Sequence, residues 1–188
     1  MARADVLFST GLSEPGAGSD LLNTATKAVK DGDYYVINGQ KIWPTGAHLA
    51  EWCLLLARTD PNAPKSKGLS TFLVDTRWPG VTVNPIIDMA GAKSFNEIFL
   101  EDVRVHKKYL LGQENRGLPL VFEALEGDRF WGRCIRHAGS RKDVEELVEY
   151  INEAKYDGHR LKDNQVLRDQ LAEIAVEMQV SRMINYKA

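Results

Sequence analysis

The sequence contains only two cysteines, Cys53 and Cys134, and few histidines. The cysteines are far apart and neither belongs to a metal-ligand spacing, so we expect reduced, buried thiols in a reducing compartment rather than a disulfide. The histidines show no H-x-x-x-H or H-x-H pattern: His48, His106, His137 and His159. We therefore expect no metal site.

Strong charge and long hydrophobic runs are also missing. A net charge of −2 over 188 residues gives no bulk attraction to nucleic acid or to an anionic membrane, so neither is an expected partner. The apolar run at Val6–Phe8 is too short for a signal peptide, and no stretch reaches membrane-spanning length. These absences predict a cytoplasmic location, and 44% hydrophobic residues predict an ordinary buried core.

The residues up to Gly112 have the pattern of short β-strands separated by turns. Asp31-Gly32-Asp33 and Asn38-Gly39 predict hairpin turns, because these residue types tolerate a positive φ. The predicted strands are Thr24–Lys30, Tyr34–Ile37, Gln40–Trp43, Cys53–Ala57, Leu69–Val74, Val81–Asn84 and Phe95–Leu100. Short strands at this spacing are typical of an antiparallel barrel or sandwich.

Beyond Gly112 the apolar residues recur at helical spacing. One stripe includes Val121, Phe122, Leu125, Trp131, Cys134, Ile135, Ala138, Val144, Leu147, Val148 and Ile151. Gly158 marks a break, and Asp163 or Asn164 is expected to cap a second helix. The sequence therefore predicts an α+β protein, with a β domain at 1–113 followed by long antiparallel helices of an incomplete bundle at 114–188.

The stretch Ser13-Glu14-Pro15-Gly16-Ala17-Gly18-Ser19-Asp20 concentrates turn-forming residues. Its glycines can adopt a positive φ, and a tight bend would expose backbone N–H groups that bind an anion, with Ser19 as an added donor. An ordinary surface turn is the alternative interpretation. The stretch is neither a G-x-G-x-x-G fingerprint, because its sixth position is Leu21, nor a P-loop.

These eight residues resemble the (T/S)EPGAGSD signature of acyl-CoA dehydrogenases. The similarity continues in order through Asn38–Trp43, Leu54–Asp60, Phe99–Val105 and Leu111–Gly117. The resemblance implies the family's middle β-barrel domain and the start of its C-terminal helical domain. It also implies that an N-terminal helical domain and the closing helices are missing, so that the chain is a fragment or a truncated reading frame.

The resemblance implies an FAD-dependent oxidation of an acyl-CoA thioester to the enoyl-CoA, with a hydride passing to the flavin. Ser13 would contact the flavin ring, Trp43 would lie against it, and Ser19 would lie near the CoA moiety of the substrate. The implied cofactor-binding residues are Thr10, Leu12, Ser13, Gly18, Ser19, Trp43 and Thr45. The alternatives are a turn cap for Ser13 and plain core for Trp43.

Many family members supply the catalytic base as a glutamate from a C-terminal region that is expected to be missing here, whereas others place it directly before an arginine of the first long helix. Asp128 is the residue that matches this second position. Glu126 and Arg129 are implied substrate contacts. Glu126 and Asp128 lie about 200° apart around a helix, so only one of them faces a given cleft. The alternative for Asp128 is a solvated charge paired with Arg129. The family's Arg-x-x-Phe-Gly element is replaced here by Ala154–Gly158, so its contact with a neighbouring subunit's flavin is not carried over.

The implied partners are an acyl-CoA substrate, an electron-transfer flavoprotein and further subunits in a homo- or hetero-oligomer (dimer or tetramer). Two other functions stay open from the sequence. One is a non-catalytic remnant or subunit of a flavoprotein complex. The other is a flavin oxidase or monooxygenase on the same scaffold.

Overall fold

The computed structural model of the chain describes residues 6–187, apart from the side chains of residues 130, 131, 133–139 and 187. The stripe positions Trp131, Cys134, Ile135 and Ala138 therefore lie outside the described side chains. The elements are β1 (Phe8–Gly11), β2 (Lys27–Asp31), β3 (Tyr34–Ile42), β4 (Trp52–Arg58), β5 (Leu69–Asp75), β6 (Val81–Ile86), β7 (Phe95–His106), β8 (Leu110–Leu111), α1 (Gly117–Glu153), β9 (Lys155–Tyr156), β10 (His159–Arg160) and α2 (Gln165–Lys187).

The chain forms two compact units, which divide after Glu123. The first unit contains a sheet in the order β6-β7-β3-β2-β4-β5-β8, with β1 added beside β4. Most neighbours are antiparallel, but β4 pairs in parallel with β1 and with β2. The α+β class is confirmed, while the sheet is open and mixed rather than a closed antiparallel barrel.

The turn predicted at Asp31-Gly32-Asp33 joins β2 to β3, and Asp31 pairs with Tyr34. Gly32 has a φ of 60°, which supplies the left-handed conformation of a tight hairpin. The observed β2 begins at Lys27, three residues after the predicted start of that strand. The sequence signal thus placed this turn correctly.

The hairpin predicted at Asn38-Gly39 is wrong, because β3 continues through both residues. The pairing of β3 with β7 shifts between Ile37 and Gly39, which marks a β-bulge. Asn38 uses its amide to bond Asp102 at 2.8 and 3.0 Å, and a Cβ at Gly39 would lie 2.7 Å from the Thr26 Cα. The extra residue of the bulge lies on β7, where Asp102 has a φ of 50°, whereas the missing side chain of Gly39 permits the close approach of Thr26.

The core of the first unit lies on one face of the sheet. Its fully buried large apolar side chains include Ile37, Leu55, Phe72, Val74, Ile98, Val103 and Val105. Tyr35 packs its ring edge-on against Phe72 with centroids 5.0 Å apart. Each such side chain contributes about 1.5–3 kcal/mol relative to exposure, so this layer holds the strands that position the site.

The second unit contains the rest of α1, the β9–β10 hairpin and α2. Asp157 and Gly158, with φ values of 51° and 79°, form the hairpin turn at the predicted break. Asn164 caps α2 by accepting the backbone N–H groups of Val166 and Leu167 at 3.0 and 3.3 Å, whereas Asp163 pairs with Arg160. Within residues 6–187, no helix combines the length and apolar character that a bilayer crossing requires.

The close approach of Thr26 to Gly39 predicts a specific sensitivity to a single methyl group. We expect Gly39→Ala to lower the free energy of unfolding by about 1–3 kcal/mol, because the new Cβ would overlap Thr26. Gly16→Ala is the control: no atom lies within 4 Å of its added Cβ, so a change below about 0.5 kcal/mol is expected. Urea unfolding measures both, and equal effects would contradict the interpretation.

Candidate functional site

The Ser13–Asp20 stretch follows β1 after Leu12 and folds back on itself. Glu14 and Ala17 exchange backbone hydrogen bonds of 2.8 and 3.1 Å, which closes a tight turn over Pro15 and Gly16. Neither Gly16 nor Gly18 adopts a positive φ, so the turn does not use that freedom. A Cβ on either glycine would meet no atom within 4 Å, which leaves this side of the turn open.

A buried ion pair fixes the start of this turn to the sheet. The Lys41 Nζ donates to the Glu14 Oε1 at 2.7 Å and to the Leu12 carbonyl at 3.2 Å. The Glu14 carboxylate also accepts the backbone N–H groups of Ala25 at 2.7 Å and Thr26 at 3.0 Å. Lys41 is 0% and Glu14 only 7% exposed, so both charges are satisfied by protein groups instead of water.

These contacts set the protonation of the pair. Burial disfavours the carboxylate, but the Lys41 ammonium and the hydrogen bonds from Thr26 and Ala25 outweigh it, so the pKa of Glu14 lies below its ordinary value. Burial lowers the pKa of Lys41, and the Glu14 carboxylate opposes that change. The pair therefore supplies charge-assisted bonds that join three chain segments.

The end of β3 meets the same loop. The Ile42 N–H donates to the Ser13 carbonyl at 2.9 Å, so Ser13 lies beside the residue that precedes Trp43. Trp43 has a φ of 73° and is 55% exposed as a residue, and its ring contacts Phe95 edge-on with centroids 6.0 Å apart. A flat apolar ring is thus held open to solvent next to the Ser13–Asp20 turn.

Asn96 bonds the backbone that carries this indole and is completely buried. Its backbone carbonyl accepts the Trp43 N–H at 2.9 Å, and its Nδ2 donates to the Pro44 carbonyl at 2.9 Å. The Asn96 Oδ1 lies 3.0 Å from the His48 Nδ1. One β7 residue therefore bonds the backbone on both sides of the Trp43–Pro44 peptide.

Arg58 anchors the far end of the loop. Its guanidinium donates to the carbonyls of Leu22 at 2.7 Å and Thr24 at 3.4 Å. The Arg58 N–H donates to the Thr26 carbonyl at 2.7 Å, where β2 begins. The exposed Ser19 lies between this anchor and the Glu14–Ala17 turn.

Cys53 lies on β4 beside Ser9 of β1, and its thiol is free and buried, as predicted. Burial raises the pKa of its thiol to about 11, although contacts with Ser9 and Lys41 oppose the change. A thiol in this state is a structural group and not a nucleophile. Cys134 lies outside the described side chains.

The structure brings together part of the predicted cofactor site. Leu12 is buried, Ser13 is half-buried beside the Trp43 strand end, and the remaining members are exposed: Thr10, Gly18, Ser19, Trp43 and Thr45. Four of these residues carry a hydroxyl: Thr10, Ser13, Ser19 and Thr45. Within residues 6–187, none of these four hydroxyls makes a hydrogen bond. The open hydroxyls and the exposed indole are compatible with a flat, polar-edged cofactor such as a flavin.

The predicted substrate and base residues lie on α1 in the second unit. Glu126, Asp128 and Arg129 are all exposed there. Each side chain can therefore contact solvent or a ligand without first breaking core packing.

Sequence reasoning missed three residues that build the site: Glu14, Lys41 and Asn96. Lys41 is an even number of positions from Tyr35 and Ile37, so the period of two places it on the buried face of β3. A lysine at such a position needs a carboxylate partner, and Glu14 lies in the adjacent loop. No comparable signal marks Asn96, since an asparagine beside a strand start is common on surfaces.

The ion pair predicts a large effect of removing one charge. We expect Lys41→Met to lower the free energy of unfolding by about 3–5 kcal/mol, because Glu14 would stay buried without its counter-charge. The double variant Glu14→Gln/Lys41→Met should lose less than the sum of the single variants. Urea unfolding checks both, and an additive double variant would contradict the coupling.

The lowered pKa of Glu14 predicts the direction of the acid response. Its stabilising contribution is complete above the unfolded-state value of about 4.5 and is lost as the pH falls below that value towards the native pKa. We expect Glu14→Gln to remove this part of the acid sensitivity. Denaturation midpoints measured from pH 7 to pH 3 test it, and parallel profiles for the two proteins would contradict it.

Comparison with known proteins places this site in a family. The model of the acyl-CoA dehydrogenase middle domain matches residues 9–103, which contain the whole loop, the Glu14–Lys41 pair and the Trp43 strand end. The model of the acyl-CoA dehydrogenase C-terminal domain matches residues 115–188.

Individual relatives agree with the family models. Acyl-CoA dehydrogenase FadE29 of Mycobacterium tuberculosis is 48% identical over 122 residues, which is 65% of this chain and 32% of FadE29. The glutaryl-coenzyme A dehydrogenase solved with glutaryl-CoA has a TM-score of 0.87 and 31% identity, over 98% of this chain and 47% of that one.

A multi-chain assembly is also among the similar structures. The ChsE4–ChsE5 complex of Mycobacterium tuberculosis matches with a TM-score of 0.77 and 34% identity, over 97% of this chain and 47% of that one. The chain thus spans less than half the length of each of these three proteins. By sequence, fold and loop, it belongs to the acyl-CoA dehydrogenase family.

Proposed function

We propose that this chain is the flavin-binding part of an FAD-dependent acyl-CoA dehydrogenase, which oxidises the α,β-bond of an acyl-CoA thioester. The observation that carries the proposal is the Ile42–Ser13 hydrogen bond, which joins the signature loop to the strand end bearing the exposed Trp43. Family membership and the match to a glutaryl-CoA dehydrogenase support the same substrate class.

The cofactor would lie along the edge formed by the loop and the end of β3. Trp43 would provide a flat wall for the isoalloxazine ring, and the open hydroxyls of Ser13 and Thr45 would donate to its polar atoms. Thr10, Leu12 and Gly18 would contribute the surrounding surface. A bound flavin supplies the hydride acceptor, while the protein residues orient it.

The substrate-binding residues are proposed from the family motifs. Ser19 would donate its hydroxyl to the CoA moiety, and Glu126 and Arg129 would contact the pantetheine or nucleotide. Asp128 would take the α-proton on its carboxylate and hold it while the thioester is oxidised. The exposed side chains of all three α1 residues are free to make these contacts.

The electrons would then pass to an electron-transfer flavoprotein, and the chain would work within a larger assembly. The multi-chain ChsE4–ChsE5 structure supports the second point. Because this chain spans less than half of its relatives, the parts that close the substrate pocket would be supplied by other segments or subunits.

Flavin binding is tested by titrating the purified chain with FAD and measuring quenching of flavin fluorescence. We expect Trp43→Ala to weaken FAD binding about threefold to tenfold, which is the loss in affinity expected when one aromatic contact is removed. Trp78→Ala is the matched control, because Trp78 packs against Trp52 and Tyr109 instead. Equal losses in the two variants, or no binding by the parent chain, would contradict the site.

The catalytic base is tested by anaerobic bleaching of the flavin absorbance with butyryl-, octanoyl- or palmitoyl-CoA. We expect Asp128→Asn to slow the saturated bleaching rate about 100-fold or more, as for other general bases. Glu126→Gln should mainly raise the acyl-CoA concentration required, because it removes a binding contact. An unchanged rate in Asp128→Asn would refute this role.

Two further outcomes separate the competing functions. A chain that binds FAD but is not bleached by any of these acyl-CoA substrates is a non-catalytic subunit. Rapid reoxidation of the bleached flavin by air would indicate an oxidase or monooxygenase, because a dehydrogenase passes its electrons to a protein acceptor.

A further inference from the structure

The conformation of Trp43 is locally unfavourable. A φ of 73° places this bulky residue in the left-handed region, which costs about 1–3 kcal/mol for a residue other than glycine. Pro44 follows directly, and a residue before proline is further restricted in its backbone conformation. The surrounding structure must therefore hold the Trp43–Pro44 peptide in place.

The contacts that hold it come from two consecutive residues of β7. Phe95 meets the indole edge-on, and Asn96 bonds the backbone before and after the peptide, at the Trp43 N–H and the Pro44 carbonyl. Asn96 is 0% exposed and Pro44 is also buried, so water does not replace the side-chain bond if the amide is removed.

The direction of the Asn96 amide follows from its partners. The Pro44 carbonyl can only accept, so the Nδ2 group faces it and the Oδ1 faces His48. The His48 Nδ1 must then carry a proton. Both the neutral Nδ1–H tautomer and the imidazolium satisfy this requirement, so the orientation of the amide is kept in either charge state of His48.

We infer that Asn96 is a positioning residue, which fixes the indole of Trp43 as the wall of the cofactor site. It acts through the Pro44 carbonyl and not by touching the cofactor. The inference rests on the proposed flavin function for its effect on binding. The placement of the indole itself follows from the hydrogen bonds and is independent of any ligand.

The test uses the full chain labelled with 5-fluorotryptophan and fluorine NMR without FAD, with the Trp43 resonance assigned from Trp43→Phe. We expect Asn96→Ala and Asn96→Asp to shift or broaden the Trp43 resonance, because both lack the donor to Pro44. His48→Ala should leave it unchanged, since the Pro44 bond remains. An unchanged Trp43 resonance in both Asn96 variants, or an equal response to His48→Ala, would overturn the inference.

Asn38→Ala is the matched control for general loss of stability. Asn38 also links β3 to β7 through two amide hydrogen bonds, but at the bulge and with Asp102 as its partner. It should lower the melting temperature without moving the Trp43 resonance. A similar Trp43 shift in Asn38→Ala would show that loosening of the sheet, and not Asn96, determines the indole position.

The same variants are then titrated with FAD. We expect Asn96→Ala to weaken binding about threefold to tenfold, as Trp43→Ala does, and the double variant to be no weaker than either. Additive losses in the double variant would contradict action through Trp43. If the parent chain does not bind FAD, the proposed function fails, whereas the NMR result still decides the role of Asn96.

Discussion

A lysine and a glutamate enclosed together inside the first unit constrain the site more than any other contact. Burying one of these charges alone would be prohibitive, so Glu14 and Lys41 must reach each other and fill their remaining bonding capacity with backbone groups. Those groups belong to Leu12, Ala25 and Thr26. The requirement of charge neutralisation therefore fixes both ends of the loop against β3, and the open residues between them need no packing of their own.

The edge that we propose to bind the cofactor depends indirectly on this ion pair. Lys41 lies two residues before Trp43, so anchoring the lysine also fixes where β3 ends. From there the chain turns into a strained conformation that Asn96 stabilises from β7. The site thus combines two polar contacts, the Glu14–Lys41 pair at the loop and the Asn96–Pro44 bond from β7. Trp43, which carries the exposed indole, follows the first in the chain, and its backbone N–H donates to the Asn96 carbonyl. Both the Glu14–Lys41 pair and Asn96 are buried, whereas the hydroxyls of the edge stay accessible.

The sequence predicted the fold class, most strands, the Asp31–Tyr34 hairpin and the family, because each depends on local pattern or on motifs of fixed spacing. It could not separate a hairpin turn at Asn38-Gly39 from a continuous strand, since the glycine is required there by the close approach of Thr26, which no local pattern reveals. Pairing between distant segments was also hidden: the parallel contacts of β4 and the bond from Asn96 to Pro44 join residues that no local rule connects.

The two parallel pairings of β4 have a consequence for the segment that lies between β1 and β2. Gly11 at the end of β1 pairs with Leu55, and Lys27 at the start of β2 pairs with Arg58, so the segment 12–26 leaves and re-enters the sheet three positions apart on one strand. The segment is therefore a loop whose two ends lie close together beside β4. Lengthening the segment adds only about 0.6 kcal/mol of closure entropy per doubling, so a change in its length costs little and leaves the strand order unchanged.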